Sequence, residues 1–218
     1  MSRPPTSTVL RLKALQAWDR WRLARLAARH PGLRVHAEAS SNFAVARYVL
    51  APGARLRIGA GAATERVPGA LLFWLGSGAD VAIGEDCWLR TEVEPVRILA
   101  FAGARIAIGP GALLNGCHLS AKREVVLGRG ASVGFGSRIL DADQHDLDGQ
   151  HAERISPVRV GDHTWIASDV TILRGVQVGA HCVVGARSLL TRDLPDGTLA
   201  YGAPARARGP VGDRSGAR

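Results

Sequence analysis

Six times the chain carries apolar–any–apolar–Gly: Leu56 to Gly59, Val81 to Gly84, Ile106 to Gly109, Val125 to Gly128, Val158 to Gly161 and Val176 to Gly179. The starts lie 25, 25, 19, 33 and 18 residues apart. Eighteen is three times six, and a six-residue beat fills the space between. An apolar residue recurs at Val160, Ile166, Ile172, Val178, Val184 and Leu190, and a small or apolar one stands four places after each, at Thr164, Val170, Val176, Cys182, Ser188 and Leu194. A fixed internal period is the mark of stacked coils, each burying its apolar edge on the next. Three hexads per coil predict a triangular prism with parallel strands along three flat faces. A leucine-rich repeat is disfavoured, because its unit is longer and carries a Leu/Asn signature. The gap of 33 carries 15 residues beyond one coil, and that excess holds His145.

Composition agrees with such a core. Aromatics are scarce at 5%, and there are 26 glycines among 218 residues, which suits layers of Val, Ile, Leu and Ala with many tight corners. The net charge of +9 raises the question of nucleic acid, but the basic residues are spread over the N-terminal segment, the corners and the tail, and no RRM, KH or helix-turn-helix pattern is present. A polyanionic cofactor or an anionic membrane surface accounts for the sign equally well. Cys87, Cys117 and Cys182 have no metal-like spacing, and Cys87 and Cys182 fall at small inward positions as packing residues. No apolar run reaches transmembrane length and the N-terminus lacks an uninterrupted signal-peptide core, which sets a cytoplasmic expectation.

Residues 8–29 read as a helix with a rough apolar stripe of Leu12, Leu15, Trp18, Leu23 and Leu26, basic elsewhere, with Asp19 its only acid. Pro31-Gly32 stops it. Two roles stay open: a cap on the solenoid or a neighbouring subunit, and a basic amphipathic helix on an anionic membrane. Residues 33–57 have weak strand character, the coils run from about 56 to 195, and those at 56, 81 and 106 look irregular. The division expected is 1–32 helix, 33–202 coil domain, and 203–218 a short basic extension, disordered from about 209.

Together, Pro157-Val158-Arg159-Val160-Gly161-Asp162, Trp165-Ile166-Ala167, Ile172-Leu173-Arg174-Gly175-Val176, Val184-Gly185-Ala186-Arg187-Ser188 and Gly202-Ala203-Pro204-Ala205-Arg206 carry a resemblance. From about 106 to 206 the chain resembles the hexapeptide-repeat acyltransferases, near the sugar O-acetyltransferases of polysaccharide biosynthesis and the maltose and galactoside acetyltransferases. The resemblance implies a mainly β fold, a left-handed parallel β-helix. It also implies a homotrimer with sites in clefts between prisms, and acetyl-CoA as donor without a metal. The acceptor it implies is a small-molecule or lipid-linked sugar. The left hand comes from the resemblance alone, since most parallel crossovers are right-handed.

Acyl transfer from a thioester to a hydroxyl needs a base, oxyanion donors and a site holding both substrates. No Ser/His/Asp order or GxSxG elbow argues for an enzyme nucleophile. His145, in Asp141-Ala142-Asp143-Gln144-His145-Asp146, matches the family's catalytic His context, and imidazole accepts a proton near neutral pH. Asp143 and Asp146 are candidates to orient its ring, and His151 is the second candidate base. Asn115 matches a sugar-contacting Asn of relatives, its alternative being an Asn in a left-handed corner. The resemblance maps donor contacts onto Ser168, Ala186, Thr191, Arg192 and Arg206, with the two arginines suited to phosphate. For Trp165 two roles stay open, covering the donor's arm and packing between subunits. Ala203, Arg187 and Ala167 depart from the usual residues. Lys122 and Arg123 replace acids of the maltose and galactoside enzymes, so their sugar preference is not carried over. Two other readings remain: a non-catalytic assembly solenoid, and a zinc enzyme of the γ-carbonic anhydrase kind drawing on His118, His145, His151, His163 and His181.

Overall fold

The computed structural model describes residues 6–217. Its strands alternate inward apolar and outward polar side chains and stack coil upon coil into three sheets. The first face carries Leu33–Val35, Arg55–Ile58, Asp80–Ile83, Arg105–Ile108, Glu124–Leu127, Val158–Val160 and Gln177–Val178. The second carries Ala63–Thr64, Trp88–Arg90, Leu113–Asn115, Ser132–Val133, Trp165–Ile166, Val183–Val184 and Thr198–Gly202, closed by an antiparallel strand Ala205–Pro210. The third carries Arg47–Leu50, Leu71–Leu75, Val96–Ala100, His118–Ala121, Arg138–Leu140, Thr171–Ile172 and Leu189–Leu190. The chain runs first, second, third and back to first, and the result is the left-handed parallel β-helix that the resemblance implied.

The repeated tetrads form one column on the first face: Leu56 beside Val81, then Ile106, Val125 and Val158, with Arg159 beside Gln177 carrying the register to Val176. The column starts one coil earlier than the sequence suggested, because Leu33 pairs with Leu56. Every residue of the six-residue beat, from Val160 to Leu194, is buried. All three cysteines are buried and free.

The tetrad glycines have a steric cause. None of the six has a positive φ. A Cβ on Gly161 would instead lie 2.5 Å from the backbone of Gly179 and Ala180 in the next coil, and one on Gly109 would lie 2.6 Å from Gly128 and Arg129. Left-handed backbone occurs two residues further on, at Gly61, Asp86, Gly111, Gly130, His163 and His181, which form their own column. Gly161→Ala should therefore cost about 1–3 kcal/mol through overpacking, a fall in melting temperature of roughly 2–12 °C. Gly149→Ala, whose Cβ meets nothing within 4 Å, is the control. Equal melting of the two variants would remove close stacking as the reason for the signature.

The 25-residue coils are regular in pairing and long in outline. Their extra residues widen the second–third edge, at 65–70 and 91–95, and lengthen the third-face strands to Leu71–Leu75 and Val96–Ala100. The 15-residue excess is placed at one corner, as the loop 141–157 on the third–first edge. At the C-terminus, order extends past the expected point of disorder. Ala205–Pro210 pairs with Thr198–Gly202, Val211 donates its N–H to the Gly197 carbonyl, and the Arg214 N–H donates to His181 Nδ1 at 3.0 Å. Those partners exist only once the last coil is in place.

The helix spans Thr6–Arg29 and caps the first coil. Its lone acid explains the docking: Asp19, 1% exposed, receives Nε and Nη2 of Arg66 at 2.9 and 3.1 Å. The apolar stripe divides at this point. Leu23 is buried and Leu26 partly so, but Leu12, Leu15 and Trp18 are exposed. A 24-residue helix is about 36 Å long, and these exposed residues all precede Asp19 along it. No helix among the described residues is long and apolar enough to cross a membrane.

Candidate active site

His145 stands in the loop 141–157, exposed, at the third–first edge. The loop is tied down from several sides. Asp141, fully buried, accepts the backbone N–H groups of Lys122, Arg123 and Glu124, each at 2.7 Å. These three successive donors belong to the coil below and form a nest for the carboxylate. Lys122 Nζ reaches both Glu153 oxygens at 2.7 and 2.8 Å and donates to the Gln144 carbonyl at 3.3 Å. Gln144, with φ of 75°, precedes His145. The bridge between Ala142 and Ile155 and the bond from Asp143 N–H to the Arg154 carbonyl close the loop's neck.

The two carboxylates proposed to orient the imidazole have other partners. Asp143 is held by Arg174 at 2.5 Å and Arg154 at 3.7 Å, and the hydrogen bond from Arg174 keeps its carboxyl below the usual carboxylate range. Asp146 accepts the Glu153 N–H at 2.7 Å. The His145 ring has no carboxylate partner among the described residues. Asp143 and Asp146 therefore make their contacts to Arg174, Arg154 and the Glu153 backbone rather than to the His145 ring. His151 is exposed and paired with Asp148 at 2.8 Å.

Asn115 ends the second-face strand Leu113–Asn115, 8% exposed, and its Nδ2 donates to the Val133 carbonyl at 3.1 Å. The left-handed corner falls on Gly116, φ 40°, so Asn115 does not serve as the corner residue. Ser168 and Ala186 lie at the same second–third edge, where Ser168 gives its carbonyl to the Arg187 N–H at 3.0 Å. Arg187 occupies a left-handed corner, φ 57°. Trp165 is 44% exposed on the second face, with the Arg214 guanidinium 5.6 Å from its ring centre. Arg206, exposed, pairs in register with Tyr201 on the antiparallel strand that follows the turn at Ala203-Pro204. Thr191 and Arg192 are exposed at the third–first edge, two coils beyond His145's loop.

Within one chain the sequence-derived residues thus divide between two edges. His145, Thr191 and Arg192 share the third–first edge; Asn115, Ser168 and Ala186 share the second–third edge, with Trp165 and Arg206 on the face leading to it. Lys122, Asp141, Glu153 and Arg174, which pin the loop, were not singled out as site residues in the sequence. Only their charges offered a signal, a Lys-Arg pair at one coil corner and an Asp directly after the next coil. The five histidines considered for zinc do not converge: among the described residues no group of three or more His, Cys, Asp or Glu could hold a metal ion.

Comparison with known proteins agrees with this fold. Residues 157–192 match the family described as bacterial transferase hexapeptide (six repeats). The galactoside O-acetyltransferase of Lactococcus lactis subsp. lactis (strain IL1403) is 29% identical over 136 residues, 60% of this chain and 63% of that protein. Nodulation protein L of Rhizobium meliloti (strain 1021) is 40% identical over 111 residues, 49% of this chain and 61% of that protein. The chain spans less than two thirds of the length of these relatives. Among solved structures, the polySia specific acetyltransferase NeuO superposes with a TM-score of 0.60 at 19% identity, covering 79% of this chain and 80% of that one. By the repeats at residues 157–192 and by its fold, the chain resembles the hexapeptide-repeat acyltransferases.

Proposed function

We propose that the protein is an acetyl-CoA-dependent O-acetyltransferase that modifies a hydroxyl of a saccharide or a saccharide-linked intermediate. The observation that carries this reading is His145: an exposed imidazole on an inserted loop that a buried carboxylate and a lysine bridge hold in place. The galactoside O-acetyltransferases among its relatives support the acceptor class. His145 takes the proton from the acceptor hydroxyl as that oxygen attacks the thioester carbonyl carbon. The tetrahedral intermediate collapses, the carbon–sulfur bond breaks, and the imidazolium returns its proton to the departing thiolate. Ser168 and Ala186 bind the pantetheine arm through backbone groups, Trp165 covers it, and Thr191, Arg192 and Arg206 meet the phosphate end. Asn115 contacts the sugar.

These residues occupy two edges of one prism, so the complete site is a cleft of a homotrimer in which one copy's His145 edge faces its neighbour's Asn115 edge. The protein acts in the cytoplasm, where acetyl-CoA is available, and the exposed half of the basic helix 6–29 rests against an anionic membrane surface carrying lipid-linked acceptors.

A screen of sugars with acetyl-CoA, following free thiol release, tests the activity. Release that depends on a sugar is the expected result, and none with any saccharide would leave the assembly-solenoid reading in place. Arg192→Ala with Arg206→Ala should raise the Michaelis constant for acetyl-CoA at least about tenfold, the loss of charge-assisted phosphate contacts. An unchanged constant would refute the phosphate role.

A further inference from the structure

A groove of about 330 Å³ opens at the second–third edge, directly after Asn115. Its lining includes Glu94, Arg97, Gly116, His118, Ser137 and Arg138. Loop 91–95 overhangs one side, and the stacked corners at Gly116 and Gly136 form the other. Gly116 keeps the floor open, because a Cβ there would run into Glu94 and the Phe135 ring.

The charges on this edge are arranged unlike those on the first face. There, register-matched residues run Arg55, Asp80, Arg105, Glu124, an acid after each base. Asp80 pairs with Arg57 at 2.7 Å, and Glu124 pairs with Arg105 at 2.8 Å and with Arg159. On the third face the corresponding run is Arg97, His118, Arg138. A histidine occupies the place of the acid, and among the described residues neither Arg97 nor Arg138 has a salt-bridge partner. Neighbouring strands lie about 4.8 Å apart, which puts the two arginine Cα atoms about 10 Å apart across His118. Like charges stacked this way repel, and among the described residues no carboxylate lies within salt-bridge distance of either guanidinium.

We infer that this groove is a subsite for an anionic group on the acyl acceptor, a carboxylate or a phosphate carried by the saccharide. The inference rests on the acetyltransferase reading for the identity of the ligand, and on the basic column for its charge. Two guanidiniums present planar donor forks suited to either oxyanion. Burial first, then the charges of Arg97 and Arg138, lowers the pKa of His118, so its ring is neutral at pH 7 with a hydrogen-bond donor of its own. Glu94 opposes the anion and limits its affinity, and the Cys117 thiol, pushed up to about 12 by burial, stays neutral. An anion in the groove offsets the arginines and moves the His118 titration to higher pH.

Galacturonate, galactose 6-phosphate and galactose, each titrated into full-length protein while the His118 ring signals are followed by NMR, test the inference without relying on turnover. At least one of the two anions should bind at least about tenfold more tightly than galactose, a step typical of charge-assisted contacts. Whichever binds identifies carboxylate or phosphate as the group recognised. Arg97→Gln with Arg138→Gln should abolish that preference, Arg97→Lys with Arg138→Lys should keep most of it, and Glu94→Gln should strengthen it severalfold. Galactose binding as tightly as both anions, or a preference that survives the Gln pair, would overturn the subsite. So would a Gln pair that changes the oligomeric mass in light scattering, since the column would then be a subunit contact. Thiol release reports separately: anion binding without turnover refutes only the activity, and turnover on neutral sugars without anion binding refutes only the subsite.

Discussion

His145→Ala is expected to lower the turnover of acetyl transfer by at least about a hundredfold, the low end of general-base contributions. The proton of a sugar hydroxyl must leave as the oxygen attacks, and no other exposed imidazole shares the pinned position. His151 lies beyond the tip of the loop with its ring on Asp148, and His163 and His181 stack on each other at the first–second edge. The substitution should leave stability within about 0.5 kcal/mol, as an exposed side chain without a carboxylate partner contributes little to the fold. Thiol release at saturating acetyl-CoA, together with a thermal melt, measures both. A variant that melts like the parent and turns over within a few-fold of it would exclude His145 as the base.

Asp141→Ala should act on fold and activity together. The carboxylate is fully buried and accepts three backbone N–H groups at 2.7 Å. Truncation leaves those donors without a partner at a partly buried corner, at a cost of about 2–4 kcal/mol, or roughly 4–16 °C in melting temperature. The same nest joins the coil below to the root of His145's loop, so turnover should fall more than acetyl-CoA affinity. Asp141→Asn retains one acceptor oxygen and should fall between parent and Ala in melting temperature. Melting of the Ala variant within a degree of the parent would show that the nest does not hold the loop.

Much of this architecture was legible in the residues. The six-residue beat fixes which side chains point inward without reference to any other part of the chain, and all of them are buried. The tetrads mark the first face of each coil for a local reason as well, because a glycine is the one residue that fits under the next coil's backbone. His145 was visible as the content of an excess that no coil could absorb.

The remaining features depend on distance through space. Coil lengths vary from 18 to 33 residues, so residues that stack cannot be matched until each excess has been assigned to a corner. Asp19 with Arg66, Lys122 with Glu153 and Arg174 with Asp143 are contacts of this kind, 47, 31 and 31 residues apart. So is the column Arg97–His118–Arg138, whose charge is evident only once three coils lie in register. Periodicity sets a side chain's direction because direction repeats along a strand. Electrostatic partnership has no period, and it emerges only when the coils are stacked.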